Sequence, residues 1–317
     1  YSLDHTPYPR HYKGGRLPRS SHFNVGKIDL LGALEQSSNP YFSLLAAEYL
    51  KDPDELLDAA KAFGLGQKTG IQLPTEAPGN LPDDLKENKS GLYSFAIGQH
   101  TLSVTPLQAA LMLSVIATHG KVYTPQIVKE ISGKARKWQT IPFPSIFPYQ
   151  KELSELGIGF PLFTYLLKDL GPSDTQEYSP IEKRLVFLPP LIRNTLLEGM
   201  QLAVSGERGT ARYELIRGKN KEFLQGYKEV GKSSFFGKTS TAEFLYNPYM
   251  VPSSTPTIYN HVWFGAISFP PETDHLDKPE VVVMVFLRFA KAGRDAAPLA
   301  YQMVEKYRDL KRKYAVE

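Results

Sequence analysis

Apolar residues recur at helical spacing through the first third of the chain. From Phe42 onward they repeat at i, i+3, i+4 and i+7, which indicates one buried helix face. Thr105 is followed by Pro106 and an apolar run to Gly120, the pattern of a capped helix that is buried on most sides. The pattern therefore predicts four helices in this region, over residues 28–36, 40–49, 56–63 and 106–120.

The last third of the chain carries strand patterns instead. Residues 235–244, 261–269 and 280–289 are rich in β-branched and aromatic residues, and the third run is apolar on both faces, as in a covered strand. Short links between these strands imply antiparallel neighbours. A helix over 190–205 precedes them, and Asp295 can cap a last helix. The predicted buried face of that helix consists of Leu299, Met303, Tyr307 and Leu310.

The order of these elements predicts an α+β fold, with an antiparallel sheet flanked by helices and a mostly helical lobe. The lobe is expected over about 27–120 and the sheet with its C-terminal helix over about 183–317. Residues 135–182 are rich in proline and indicate an insertion or peripheral module, in which 160–170 is one short candidate helix. An active cleft is expected between the lobe and the edge of the sheet.

Composition excludes several classes of protein. The 37 basic and 33 acidic side chains leave a net charge of only +4, without a basic stripe, which argues against nucleic-acid binding. Cysteine is absent and no His-x-x-x-His pair exists, so we expect no disulfide, metal or cofactor. No apolar run is long enough to cross a bilayer, and Tyr1 opens no signal peptide. The abrupt polar start suggests a cut through a larger protein.

The first strand run carries an unusual set of polar side chains. In Phe235–Phe244, alternation places Thr239 and Thr241 on one face. Lys238 and Ser240 lie on the other. The preceding glycines resemble a phosphate loop, but five residues separate them where that motif has four, and the segment continues as a strand. A nucleotide site is therefore not predicted.

A second polar segment, Ser37-Ser38-Asn39, lies between the first two predicted helices. By itself this segment fits an ordinary helix boundary, since Asn39 can be an N-cap and Pro40 a first-turn proline. Taken together, however, this segment and the strand segment Lys238-Thr239-Ser240-Thr241 resemble the second and third motifs of the penicillin-binding proteins, SxN and KTG followed by threonine. Further blocks resemble the transpeptidase domain of that family in order and approximate spacing: TGIQLPTEAPGNLP, FAIGQHTLSVTPLQAA, GERGTA, GKTSTAEF and HVWFGAIS. SSNPYF is more similar to the monofunctional, class B branch.

The resemblance implies a peptidoglycan D,D-transpeptidase that cross-links the cell wall through a serine acyl-enzyme and is a target of β-lactams. It implies that Lys238 and Ser37 are catalytic proton-transfer groups and that the backbone N–H of Thr241 is one half of an oxyanion hole. The substrate-binding residues that it implies are Asn39, Thr239, Ser240 and Thr241. The partners that it implies are peptidoglycan stem peptides, β-lactams and proteins of a wall-synthesis complex. It further implies the outer face of the bacterial cytoplasmic membrane, reached through an N-terminal anchor outside this chain.

Two departures from the family pattern matter. Ser240 stands where the family usually has glycine, and we expect the strand to tolerate its small side chain, directed with Lys238 towards the helical lobe. No serine in the chain is followed by lysine at the third position after it, so the family's Ser-x-x-Lys motif is absent. We expect the nucleophile to lie upstream of Tyr1 and the chain alone to be inactive.

Three interpretations stay open from the sequence. The chain belongs to a transpeptidase, to a non-catalytic β-lactam receptor or wall-synthesis scaffold, or, less favourably, to a serine β-lactamase. The length of residues 135–182 and the TGIQLP and TPLQAA blocks resemble the larger transpeptidases. A Ser-x-x-Lys motif in the upstream coding sequence, after a membrane segment and a pedestal domain, would favour the enzyme.

Overall fold

The computed structural model describes residues 3–4, 27–131, 155, 176–246, 257–271 and 276–314. The helices in this part of the chain are α1 (Leu30–Gln36), α2 (Asn39–Tyr49), α3 (Asp54–Ala62), α4 (Lys89–Phe95), α5 (Pro106–Ala117), α6 (Pro190–Ser205), α7 (Lys221–Gly231) and α8 (Ala297–Tyr314). The short strands are β1 (Leu3–Asp4), β2 (Lys27–Ile28), β3 (Lys121–Thr124), β4 (Glu130–Ile131), β5 (Gln176–Glu177) and β6 (Ile181–Leu185). The long strands are β7 (Phe235–Tyr246), β8 (Thr257–Ser268) and β9 (Val281–Leu287).

The chain divides into two compact units. The larger unit comprises Tyr1–Thr69, Ala77–Tyr123 and Glu182–Glu317, and it holds every candidate site residue. The smaller unit comprises Gly70–Glu76 and Thr124–Ile181, where β4 and β5 pair antiparallel. The candidate helix over 160–170 lies outside the described residues.

The long strands form an antiparallel sheet in the order β7-β8-β9, which confirms the predicted α+β fold with antiparallel neighbours. Pairing with β8 runs along all of β7, from Phe235 opposite Ser268 to Tyr246 opposite Thr257. Since β8 lies between the other two strands, β7 is an edge strand of this sheet.

Helices cover both faces of the sheet. On one face, Phe235 and Phe264 pack with Ala300, Tyr301 and other residues of α7 and α8 in one buried cluster. On the other face, Phe236 and Ile267 pack against α5 and α6, which contribute buried residues such as Leu197. Alternate residues of β7 and β8 therefore enter opposite cores, as the strand period requires.

The predicted buried face of the last helix is wrong. Leu299, Met303, Tyr307 and Leu310 are all exposed, Met303 to 54%. The buried residues of α8 are instead Ala297, Pro298, Ala300, Tyr301, Val304 and Arg308. Asp295 also does not cap this helix: it lies in a short 3₁₀ turn, where its carboxylate accepts a hydrogen bond from Ala292 N. The small alanines let α8 approach the sheet closely, and this packing outweighs the larger apolar residues.

Other boundaries differ from the prediction by local capping. Ser38, and not Asn39, is the N-cap of α2, and its hydroxyl accepts a hydrogen bond from Tyr41 N at 3.3 Å. Thr105 caps α5 as predicted, in a reciprocal capping box with Gln108. Helices α4 and α7 were not predicted.

Among the described helices, none has the length and apolar character needed to span a membrane.

Candidate active site

Ser37 occupies a tight corner between two helices. It ends α1 with left-handed backbone angles (φ 54°, ψ 54°), and its N–H bonds back to the last turn of that helix. A left-handed conformation is unfavourable for a residue with a Cβ, at a cost of about 1–3 kcal/mol. Ser38 then begins α2 at once as its N-cap, so the corner holds Ser37 and Asn39 at the adjoining ends of two helices.

Lys238 contacts this corner from the sheet. Its Nζ donates a hydrogen bond to Ser37 Oγ at 2.7 Å and another to the Thr239 carbonyl oxygen at 3.1 Å. The two residues are 201 positions apart in the chain. The structure therefore brings together the two proton-transfer groups that the resemblance implies. The space between the Ser37 corner and the outer edge of β7 is called the groove below.

Burial changes the acidity of this lysine. Desolvation lowers the pKa of the Lys238 ammonium from 10.5 to about 8, because a charged group loses hydration in an enclosed site. At neutral pH the side chain is still an ammonium, yet it releases its proton far more readily than an exposed lysine. Such a group is suited to donating a proton and recovering it within one turnover.

We expect Lys238 to titrate with a pKa of about 8 in the folded protein. The unfolded chain keeps its proton up to about pH 10.4, so stability rises as pH increases from about 8 to 10.4, where the unfolded state binds more protons. Nuclear magnetic resonance of ¹³Cε-labelled lysine measures the titration directly. A Lys238 resonance that titrates at about 10.4, the pKa of an unperturbed lysine, would contradict the desolvation of its ammonium.

The backbone of β7 presents polar groups at its free edge. The carbonyl oxygen of Thr239 accepts from Lys238, and that of Thr241 accepts from Gln99 Nε2 at 2.9 Å. Gln99 lies outside the sheet, so the Thr241 carbonyl points away from β8. The Thr239 carbonyl, two residues earlier on the strand, points to the same side. In an antiparallel strand the N–H and C=O of one residue point to the same side. The N–H of Thr241 therefore also faces the groove.

The two threonines differ in exposure, although alternation suggests the same open face for both. Thr241 is exposed, whereas Thr239 is only 8% exposed. The Thr239 and Thr210 hydroxyl oxygens lie 2.7 Å apart in a hydrogen bond, and Gly293 packs so closely that a Cβ there would lie 2.8 Å from Thr239 Cβ. Thr210 and the Gly293 turn therefore cover Thr239 and fix its hydroxyl.

Ser240 causes no break in the strand. Ser240 is exposed. It pairs with Trp263 in an uninterrupted ladder between β7 and β8. The strand keeps its register through this position, as expected for a tolerated serine.

Two residues of the site, Thr210 and Gln99, were not predicted as site residues from the sequence. Thr210 lies in the block GERGTA and Gln99 in the block FAIGQHT, and both blocks entered only as parts of a resemblance. Neither residue has a local pattern that links it to β7, so only their position in two recognised blocks could have pointed to them. Among the described residues, no group of three or more His, Asp or Glu side chains could hold a metal ion.

Comparison with known proteins gives a consistent family match. A model of the penicillin binding protein transpeptidase domain matches residues 6–305. The peptidoglycan D,D-transpeptidase MrdA of Haemophilus influenzae is 28% identical over 294 residues, which cover 89% of this chain and 36% of that protein. Penicillin-binding protein H of Bacillus subtilis is 36% identical over 140 residues, or 40% of this chain and 20% of that protein. The chain thus spans about a third or less of each of these two relatives.

Solved structures show the same fold. The Pseudomonas aeruginosa PBP2 structure in complex with WCK 5153 superposes with a TM-score of 0.62 at 20% identity, over 97% of this chain and 55% of that one. The complex between PBP2 and MreC from Helicobacter pylori gives a TM-score of 0.61 at 20% identity, over 98% of this chain and 45% of that one. At this identity the likeness supports the fold alone.

Proposed function

Because the chain belongs to the family of penicillin-binding protein transpeptidase domains, we propose that it forms most of the catalytic domain of a peptidoglycan D,D-transpeptidase. The observation that carries the proposal is the 2.7 Å contact of Lys238 Nζ with Ser37 Oγ, beside the free edge of β7. The chain contains no Ser-x-x-Lys and aligns to 36% of its MrdA relative. The proposal therefore assigns the nucleophilic serine and its base to a part of the protein upstream of these residues.

Acylation is the first step of the proposed reaction. The upstream serine oxygen attacks the carbonyl carbon of the penultimate D-Ala of a stem peptide, and its proton passes to the upstream lysine. The carbonyl oxygen becomes negative and is stabilised by the N–H of Thr241 on the edge of β7. The bond to the terminal D-Ala nitrogen then breaks. Ser37 passes its proton to that nitrogen and is reprotonated by Lys238, so free D-Ala leaves.

Transfer to a second stem peptide completes the cycle. The amine of a neighbouring peptide attacks the ester carbonyl and releases a proton, which returns through Ser37 to Lys238. The bond to the serine oxygen breaks, the serine recovers its proton from the upstream lysine, and a new amide bond joins the two strands. One amide has been exchanged for another without net hydrolysis. A β-lactam enters at the acylation step, because its strained amide and carboxylate present the same groups as the peptide terminus.

Substrate binding is proposed for the residues that line the groove. The exposed hydroxyl of Thr241 is the accessible donor for the terminal carboxylate, and Thr239 supports it from beneath through Thr210. Asn39, in the first turn of α2, offers an amide donor and acceptor to the peptide backbone. Ser240, exposed beside them, completes the rim.

The proposal extends to partners and place in the cell. Since the H. pylori PBP2 was solved as a complex with MreC, we include proteins of a wall-synthesis complex among the partners of this chain. Cross-linking also requires access to peptidoglycan, so we place the domain on the outer face of the bacterial cytoplasmic membrane. Its membrane anchor would lie in the upstream part of the protein.

Covalent labelling with a fluorescent penicillin tests this function. We expect an adduct with the full-length protein and none with residues 1–317 alone, because these residues hold no Ser-x-x-Lys. Incubation of the full-length protein with a pentapeptide and an amine acceptor should release D-Ala together with the cross-linked product. A full-length protein that binds penicillin only reversibly would contradict the enzyme and favour a non-catalytic receptor. An adduct on the 317 residues would show that the nucleophile lies within them.

A further inference from the structure

Gln99 links the helical region to the strand that carries the proposed oxyanion donor. Its side-chain Nε2 donates to the carbonyl oxygen of Thr241 at 2.9 Å, across 142 positions of sequence. Because the N–H and C=O of Thr241 leave the strand on the same side, a donor fixed on the carbonyl also fixes the direction of the N–H. The contact therefore acts on the geometry of the group that faces the negative oxygen.

The turn that carries Gln99 has a defined backbone. It follows α4 directly, and Gln99 N bonds to the Ser94 carbonyl oxygen at 2.9 Å. The residues on either side, Gly98 (φ 77°) and His100 (φ 70°), both adopt left-handed angles. A left-handed backbone is unfavourable for a residue with a Cβ, so contacts of the His100 side chain help to hold the turn in this shape.

Those contacts come from a small polar cluster behind the turn. His100 Nε2 lies 2.7 Å from Asp84 Oδ1, and Asn88 Nδ2 donates to Asp84 Oδ2 at 2.7 Å. The hydrogen bond from His100 is the main cause that lowers the pKa of Asp84, and the hydrogen bond from Asn88 is the next largest. The carboxylate is therefore charged, so His100 Nε2 carries the proton and donates it. Asn88 also accepts from Gly91 N as the N-cap of α4, which joins the cluster to the helix before the turn.

We infer that Gln99 is a positioning residue for the oxyanion donor, with His100 and Asp84 holding its turn in place. This inference rests on the proposed function, because it assigns Thr241 N–H to the transition state of acylation. The carbonyl of Thr241 is held before substrate arrives, so the N–H needs no reorientation when the charge develops. Gln99 itself touches no reacting atom and acts only through β7.

The first test uses Gln99→Ala and Gln99→Glu in the full-length protein. Alanine removes the donor, and glutamate places a carboxylate against a carbonyl oxygen. We expect the first-order acylation rate constant with penicillin to fall about ten- to a hundredfold in Gln99→Ala and further in Gln99→Glu. The dissociation constant of the non-covalent complex and the melting temperature should change little. Gln225→Ala is the matched control, because Gln225 is an exposed glutamine that bonds to Glu229 on α7.

The second test addresses the turn. His100→Asn keeps a residue that tolerates left-handed angles but is too short to reach Asp84, and we expect a smaller loss of acylation rate than in Gln99→Ala. His119→Asn is the control, because His119 also has a left-handed backbone (φ 57°) and pairs with an aspartate, Asp277. That control should acylate at the wild-type rate.

The outcomes separate this inference from the proposed function. If the wild-type protein acylates and Gln99→Ala acylates equally fast, the positioning role is wrong and the proposed function stands. If Gln99→Ala acylates faster, the hydrogen bond obstructs the groove, which also overturns the inference. A weaker non-covalent complex with an unchanged rate constant would make Gln99 a binding residue and contradict the inference as well. If the wild-type protein forms no adduct, the proposed function fails and the inference fails with it.

Discussion

Replacement of Lys238 by alanine is expected to lower the rate of acylation of the full-length protein by penicillin by about 10²–10⁴-fold, the range of a lost proton-transfer group. Lys238 Nζ lies 2.7 Å from Ser37 Oγ, and burial lowers its pKa to about 8. Without it, Ser37 loses the ammonium that replaces the proton passed to the departing nitrogen. Stopped-flow or gel measurement of covalent labelling by a fluorescent penicillin gives the rate.

The loss in Lys238→Ala should not reflect unfolding. The variant removes a desolvated ammonium, whose pKa shift shows that the charged form is disfavoured in the folded state. Its melting temperature should therefore stay close to that of the wild type. Lys232→Ala removes an exposed lysine six residues earlier in the chain and should label normally. Labelling of Lys238→Ala within a few-fold of wild type would remove the lysine from the mechanism.

A double variant tests whether the two groups form one relay. If protons pass from Lys238 through Ser37, Ser37→Ala should also slow acylation, and the double variant should be no slower than Lys238→Ala. Residues that act as a unit are strongly non-additive in this way. Additive losses would mean that the lysine and the serine act on separate steps.

Replacement of Arg308 by methionine is expected to lower the free energy of unfolding by about 3–5 kcal/mol, the typical cost of breaking a buried ion pair from one side. Arg308 Nε lies 2.6 Å from Glu280 Oε1, and the Glu280 side chain is only 4% exposed. The guanidinium also donates to Ser268 Oγ and to the Phe269 carbonyl oxygen, each at 3.0 Å. These bonds fix α8 to the end of β8, so the variant leaves a buried carboxylate without its cation.

Urea unfolding followed by circular dichroism measures this change. Arg312→Met is the matched control, since Arg312 forms an exposed pair with Asp309 one turn later on α8 and should change stability by less than about 0.5 kcal/mol. The double change Arg308→Met with Glu280→Met should recover much of the loss, because it leaves no unpaired buried charge. Equal effects of Arg308→Met and Arg312→Met would show that the pair contributes no more than a surface ion pair.

Helix α8 shows where sequence patterns reach their limit. Two stripes on it have helical spacing, one of large apolar residues and one that includes Ala297, Ala300 and Val304. Size favours the first stripe, yet the structure buries the second. The alanines permit close approach to the sheet, and Arg308 on the same side finds its buried partner in Glu280. No local pattern contains that partner, so the choice of face belongs to tertiary packing.

Helix α7 was not predicted either, although the sequence does contain a helical pattern of apolar residues there. Phe223, Leu224, Tyr227 and Val230 follow helical spacing behind the cap Asn220. Helix α4 is harder to predict, since it has only seven residues and a glycine at its third position.

The sequence by itself determined the strand period of β7, the boundary between α1 and α2 and the cap of α5, because each depends on residues within a few positions of one another. It also determined the family, through blocks of residues in a fixed order. Only the tertiary structure decided that Thr239 is covered by Thr210, that Gln99 bonds to Thr241, and which face of α8 is buried. The contacts behind these choices join residues from 28 to 142 positions apart. Such residues are brought together by packing of the whole core, which a local periodic pattern does not describe.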